Sequence, residues 1–464
     1  MFSAQTYAER RGALRRLMVG EGGLVLLPGN PEAPANYPDN CYPFRQDSSF
    51  LYFAGVDRPG FWALVDLDEG REALFGDEIT MNDIIWTGPQ PSLAEWTAAA
   101  GFTESHPLER LAGIVAEAVA RGRRVHYLPP YRCEVTLRIA SLLGVLPEAV
   151  NEGVSVALAL SVVALRSVKS DREVACIEQA CATGYAMHVT AMRMCRPGVG
   201  EREIAGAIEG IALQHGAGVA FPSIVSQDGQ TLHNHSHDGT LTAGRLLLVD
   251  AGAEQAEHYC CDFTRTTPVG GRFTAMQRDI YNIVLAANDL GRSLARPGAL
   301  YRDIHLAAVI SIVEGLRALG LVRGDPRDAV DAGAHALFMP HGLGHMMGLD
   351  VHDMENIGEK YVGYDRDTER SARLGLASLR LGRRLEAGMV MTVEPGIYFI
   401  PALVEKWRAE GTCRDFVDLD AVQRFMGLGG IRIEDNILIT GDGCRLLGRR
   451  LPATADEVEE CVGS

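Results

Sequence analysis

Short apolar runs alternate with amphipathic stretches through the first third of the chain. GLVLLPG and FWALVDLD are apolar runs of strand length, and LERLAGIVAEAVARG carries a helical period. This alternation predicts an α/β region. A different pattern follows in LRSVKSDREVACIEQACATGYAMHVTAMRMCRPG. Ser170 and Glu173 form an S-x-x-E capping box, the signature of a helix start. Val174, Ile177, Cys181, Tyr185, Val189 and Met192 recur at three- and four-residue steps and predict the buried face of a long helix. Pro197-Gly198 ends it. The change of pattern sets a domain boundary near residue 165, giving domains 1–165 and 166–464.

The second region repeats itself. RPGVGEREI begins at Arg196 and RPGALYRDI at Arg296, and both read Arg-Pro-Gly-x-x-x-Arg-acid-Ile. Each follows one helical pattern and precedes another, so a duplicated half is expected: two helices, then strands. The strands of each half carry acids. Leu246, Leu247, Leu248 and Val249 run into Asp250, and the next short strand presents Asp262. In the second half, GMVMTVEPGIYF supplies Glu394 and GGIRIEDNILIT supplies Glu434. Pseudo-symmetry would bring all four together.

Burying an unpaired carboxylate costs several kcal/mol, so acids placed at the end of an apolar sheet are either exposed or neutralised by something cationic. Any one of them is as well explained by capping a turn or pairing with an arginine. Four in matching places point instead to two divalent ions, whose charge balances theirs. Hard oxygen donors with little sulfur suit Mn2+ first, with Co2+ or Zn2+ as alternatives. Histidines cluster nearby in sequence. MPHGLGHMMGLDVHD holds His341, His345 and His352, with Gly342, Gly344 and Gly348 allowing close backbone approach. LHNHSHDG adds His233, His235 and His237, and the stretch does not say which points inward.

Composition narrows the classes. A chain of 464 residues exceeds one ordinary core and implies two or three domains. The excess of 60 Asp+Glu over 44 Lys+Arg argues against a nucleic-acid partner. The ten cysteines form no CxxC pair and read as reduced thiols. Arg10, Arg11, Arg15 and Arg16 precede an apolar run, 24–27, too short for a secretory signal, and the run 154–165 is too short to span a bilayer. A soluble, cytoplasmic protein without a membrane partner is expected.

The pieces VDAG…DFTRT, HGLGHMMGLDVHD, TVEPGIYF and GGIRIED together resemble the pita-bread metallopeptidases, in the proline-directed branch of aminopeptidase P and Xaa-Pro dipeptidase (prolidase). YPFRQDSSFLYFAGV resembles the non-catalytic N-terminal domain of that branch. The resemblance implies an α+β chain: a pseudo-symmetric pita-bread domain preceded by a smaller α/β domain. Carried over position by position, it makes Asp250, Asp262, His345, Glu394 and Glu434 the ligands of two metal ions, Mn2+ in most members. It places His233, His341 and His352 along the substrate site, steadying a developing oxyanion. The implied reaction is hydrolysis of the bond before proline by a metal-bridging hydroxide, with Glu394 passing a proton to the proline nitrogen. Two departures stand out. The interval from Asp250 to Asp262 is one residue longer than usual, so a bulge or a longer turn is expected. Asn234 replaces a common aromatic residue.

Arg380, in LASLRLGRRLEAGM, matches the arginine with which prolidases hold a substrate's C-terminal carboxylate; otherwise it is one arginine of a basic surface loop with Arg383 and Arg384. Arg432 shares a strand face with Glu434 and either orients a ligand carboxylate or makes a plain salt bridge. The insertion PALVEKWRAEGTCRDFVDLDAVQRFMG is also similar to prolidases. These features favour a peptide substrate with proline second, most simply the dipeptide; the alternative is an aminopeptidase P acting on longer peptides. Trp86 either matches a tryptophan that reaches the neighbouring subunit's site, which implies a homodimer, or is a core residue on a strand. A catalytically dead relative serving as a binding module is the remaining alternative, but such relatives lose metal ligands and all five positions are filled here.

Overall fold

A computed structural model of the chain describes residues 2–463. It separates into two compact units, Met1–Arg166 with Asn356–Tyr361, and Ser167–Glu355 with Val362–Ser464.

The first unit is built on a mixed five-stranded sheet of β1 (Leu24–Pro28), β2 (Trp62–Asp66), β3 (Glu72–Phe75), β4 (Glu104–His106) and β5 (Val125–His126), in the order β4-β3-β2-β1-β5. The apolar runs form its centre: β1 pairs antiparallel with β2 and parallel with β5. Leu24, Leu26, Trp62, Leu64 and Phe75 pack with Leu111 and Val115 of the helix Arg110–Ala120. Trp86 is not a core strand residue. Thr80 and Asp83 make a reciprocal capping box that starts helix α1 (Met81–Thr87), and Trp86 on it is 79% exposed.

The second unit shows the duplication directly. Helices α2 (Asp171–Met194) and α3 (Glu201–His215) form the first pair; α4 (Ala275–Leu294) and α5 (Tyr301–Ala318) form the second. The Arg-Pro-Gly turns between them are alike in detail. Gly198 and Gly298 have φ of 90° and 85°, a conformation that favours glycine. Gly198 donates its N–H to Leu241 O at 2.8 Å, and Gly298 donates to Leu385 O at 2.9 Å. The Ser170–Glu173 box caps α2 as expected. Its buried stripe departs from expectation: Val174, Ile177, Cys181 and Met192 are buried, but Tyr185 and Val189 are only half-buried, and Gly184, Met187 and His188 take their place. Successive four-residue steps overrun a 3.6-residue turn by about 40° each, so the predicted face drifted off the core.

After the first helix pair come β6 (Ile224–Ser226), β7 (Leu246–Ala251) and β8 (Phe263–Pro268), with β7 in the middle. After the second come β9 (Val390–Val393), β10 (Gly396–Tyr398), β11 (Gly430–Arg432), β12 (Asp435–Ile439) and β13 (Cys444–Leu446). β12 lies between β9 and β13, and β10 pairs with β11. The halves meet where Glu434 N–H donates to Thr264 O at 3.0 Å. Arg265, fully buried, crosses the same seam to Glu434 O at 2.7 Å and Asp435 at 2.6 Å.

The extra residue between Asp250 and Asp262 lies in a longer turn. The ladder runs without a shift from Leu246↔Pro268 to Ala251↔Phe263 and continues at Glu254↔Cys260. Gln255 N–H then donates to Tyr259 O at 3.1 Å, and His258 absorbs the reversal at φ 67°. Asp250 is opposite Thr264, and Thr264 is two residues from Asp262, so both aspartates share one face.

Candidate metal centre

The acids reach one place from four strand ends, and His341, His345 and His352 reach it from one loop. That loop runs beside β9. His345 N–H donates to Thr392 Oγ1 at 3.1 Å, Thr392 N–H to His345 O at 3.1 Å, and Glu394 N–H to Leu343 O at 2.7 Å. Gly344 is what permits this approach: a Cβ there would lie 2.2 Å from Thr392 O. The far end is fixed by a buried ion pair, Lys169 Nζ to Asp353 Oδ2 at 3.0 Å, both side chains 1% exposed.

Asp262, His345 and Glu434 form the tightest group, each offering a ligand atom within 4.8 Å of the others. His345 Nε2 lies 3.4 Å from Asp262 Oδ2 and 3.8 Å from Glu394 Oε1. Its Nδ1–H donates to Met346 O at 3.0 Å, which leaves the Nε2 lone pair free to accept a cation. Asp250 sits at the edge of this group, tied by Oδ2 to Arg432 Nη2 at 2.5 Å. All of these residues line one cavity of about 520 Å3, together with His233, His235, His341, His352, Arg380 and Arg432.

The charges in this cavity do not balance. Burial pushes the carboxyls of Asp262 and Glu434 well above the ordinary range, and neighbouring carboxylates raise them further. Glu394 is raised as well, chiefly by burial. Asp262 Oδ1 and Glu434 Oε1 are buried with no hydrogen-bond partner among the described residues. Arg432 sets a guanidinium among the four acids. It donates Nε–H to Thr264 Oγ1 at 3.0 Å and Nη1–H to Tyr398 Oη at 2.8 Å as well as reaching Asp250. Orphaned oxygens, hard donors and a shortfall of positive charge fit divalent cations.

The other expected residues are placed as follows. His352 stacks on His345 with ring centroids 3.7 Å apart, and its Nδ1 bonds Glu355 Oε1 at 2.9 Å. His341 lines the cavity, but its Nδ1 is engaged by Gly342 O at 2.7 Å and its Nε2 by Tyr398 Oη at 2.9 Å. It is therefore a wall in this arrangement, with no N–H free for an oxyanion. Burial holds its imidazole down at about 3. His233 is exposed at the lip, and His237 turns away to Ser223 O. Asn234 bonds Ser226 Oγ at 2.9 Å. Arg380 is half-buried and paired with Glu355 at 2.6 Å. Trp86 belongs to the first unit. Sequence reasoning passed over Tyr398, which strand alternation from Glu394 through Gly396 places on the same side. It also passed over Glu355, which nothing in the sequence connects to Arg380.

Comparison with known proteins agrees with this geometry. Residues 175–441 match the model of metallopeptidase family M24, and residues 7–127 match the aminopeptidase P N-terminal domain. A probable Xaa-Pro aminopeptidase pepP of Aspergillus fumigatus is 30% identical, over 100% of this chain and 97% of its own. The human Xaa-Pro dipeptidase is also 30% identical, over 96% of this chain and 89% of its own. The structure of Pseudomonas aeruginosa aminopeptidase PepP superposes with a TM-score of 0.81 at 29% identity, covering 100% of this chain and 98% of that one. The chain thus belongs to metallopeptidase family M24, with the pita-bread fold of its aminopeptidase P and Xaa-Pro dipeptidase branch.

Proposed function

We propose that this protein hydrolyses the Xaa-Pro bond of short peptides, the dipeptide by preference, with two divalent ions, Mn2+ first. The observation that carries this reading is that Asp250, Asp262, His345, Glu394 and Glu434 line the same cavity as Arg380. Those five residues would hold the ions. When bound, the ions would supply Lewis acidity toward the scissile carbonyl and a water of lowered pKa.

The side chains do the rest. The bond before proline has no N–H, so recognition falls on the ring and the carboxylate. Phe221, Ile224, Leu232 and Val351 give the cavity an apolar wall for the ring. Arg380 offers the carboxylate a guanidinium fork. His352 donates Nδ1–H to Glu355, so its Nε2 can stabilise negative charge only after taking up a proton, while His233 stands at the lip, where it can stabilise charge that develops on the carbonyl oxygen. Glu394 faces the cavity beside His345, a place from which a carboxylate can accept a proton and pass it to the proline nitrogen.

One observation favours the second reading, an aminopeptidase for longer peptides: Arg380 already has a carboxylate partner in Glu355. The proposal extends to a cytoplasmic homodimer, supported by the exposed Met81, Ile85 and Trp86 on α1. The test is to strip metal, restore Mn2+, and assay Xaa-Pro, Xaa-Pro-Yaa and Xaa-Ala substrates. Metal-dependent cleavage confined to proline in the second position is expected. Equal cleavage of Xaa-Ala, or no metal dependence, would sink the reading.

A further inference from the structure

We propose that Glu355 is a specificity-determining residue that limits, without reversing, the preference for dipeptides by competing for the arginine their carboxylate needs. This rests on the peptidase reading above. Glu355 follows His352 in a short 3-10 turn, Glu355–Ile357, with its side chain 20% exposed. Its two oxygens have separate partners. Oε2 takes Arg380 Nη1 at 2.6 Å, and Oε1 takes His352 Nδ1 at 2.9 Å. Burial opposes its ionisation, but the His352 bond and the charges of His352, His345 and Arg380 outweigh this and hold it below the usual range. A full negative charge therefore stands beside Arg380, whose side chain is 41% exposed and lines the cavity.

The consequence depends on what a substrate brings to Arg380. A dipeptide brings a carboxylate, which meets a guanidinium already engaged and a like charge beside it. A longer peptide brings a neutral amide carbonyl, which meets neither penalty. Glu355 thus weakens one class and spares the other, while its second oxygen keeps His352 in place.

Glu355→Gln separates these roles, because glutamine keeps the acceptor for His352 and removes the charge. In the Mn2+-loaded enzyme, the KM for an Xaa-Pro dipeptide should fall about two- to fivefold, the scale of one partly exposed ion pair. The KM for the dipeptide amide and for Xaa-Pro-Yaa should not move. Free L-proline should bind correspondingly tighter and L-prolinamide should not. Glu355→Ala should lower the dipeptide KM as well but also lower kcat, since His352 loses its partner. Adding Arg380→Ala to Glu355→Gln should erase the gain. Equal shifts for acid and amide, or an unchanged dipeptide KM in an active enzyme, would overturn this inference alone. No cleavage of any Xaa-Pro substrate by the loaded wild type would overturn the peptidase reading and this inference with it.

Discussion

Asp262 and Glu434 are the residues on which the candidate site turns, because each leaves a buried oxygen without a protein partner. Without a cation they repel each other, and burial penalises both. Asp262→Asn should therefore raise the melting temperature of the metal-free protein, by an amount corresponding to about 1 kcal/mol or more. The same variant should lose the stabilisation that Mn2+ gives the wild type; scanning calorimetry with and without metal reads both effects. Tyr398 is the next test. Its hydroxyl joins Arg432 to His341, so Tyr398→Phe leaves two buried groups short of a partner. A loss of about 1–3 kcal/mol in chemical denaturation is expected, with catalysis impaired as the cavity wall loosens. At this scale the sequence was partly legible. The four acids announced themselves through matching strands, whereas His345 stood out from its neighbours only by resemblance. Tyr398 and Glu355 were hidden because their roles depend on arginines that only the fold brings to them.

The histidine loop is held at two points, and each can be broken separately. Gly344→Ala puts a methyl group 2.2 Å from Thr392 O, so the loop must back away from β9 and carry His345 with it. Destabilisation of about 1–3 kcal/mol is expected, with a larger loss of metal affinity. Gly443→Ala is a suitable control, since nothing lies within 4 Å of the added atom. At the other end, Asp353→Ala strands the buried ammonium of Lys169 and should cost about 3–5 kcal/mol in urea denaturation. The helices, strands and Arg-Pro-Gly turns were readable because local periodicity and turn chemistry dictate them. The buried face of α2 was misjudged by a fraction of a turn, since residue spacing alone does not show where a long stripe begins to drift. The placement of the extra residue in the 255–261 segment was open until the register settled it. A ladder fixed by β7 and β8 leaves only the tip free to lengthen.

The duplicated second unit also buries a pair of histidines away from the acids. His305 on α5 and His335 in the turn Ala334–Leu337 have ring centroids 6.5 Å apart. Burial pushes them down to about 3 and about 4, from an ordinary 6.5. The unfolded chain takes up these protons first, so stability must fall as the pH drops below the unfolded value. Between about pH 5.5 and 4.5 each histidine should add a slope of about 1.4 kcal/mol per pH unit. His305→Leu should make the acid limb shallower by nearly that amount in pH-dependent denaturation. The change of pattern near residue 165 is visible in the sequence; the grouping of Asn356–Tyr361 with the first unit is not, since no shift in composition marks it. Arg432 has a final bearing on the protein's life before and after loading. Every contact that holds it comes from the chain itself, so no chelator can remove its charge. A stripped molecule should thus keep one built-in counter-ion among its acids.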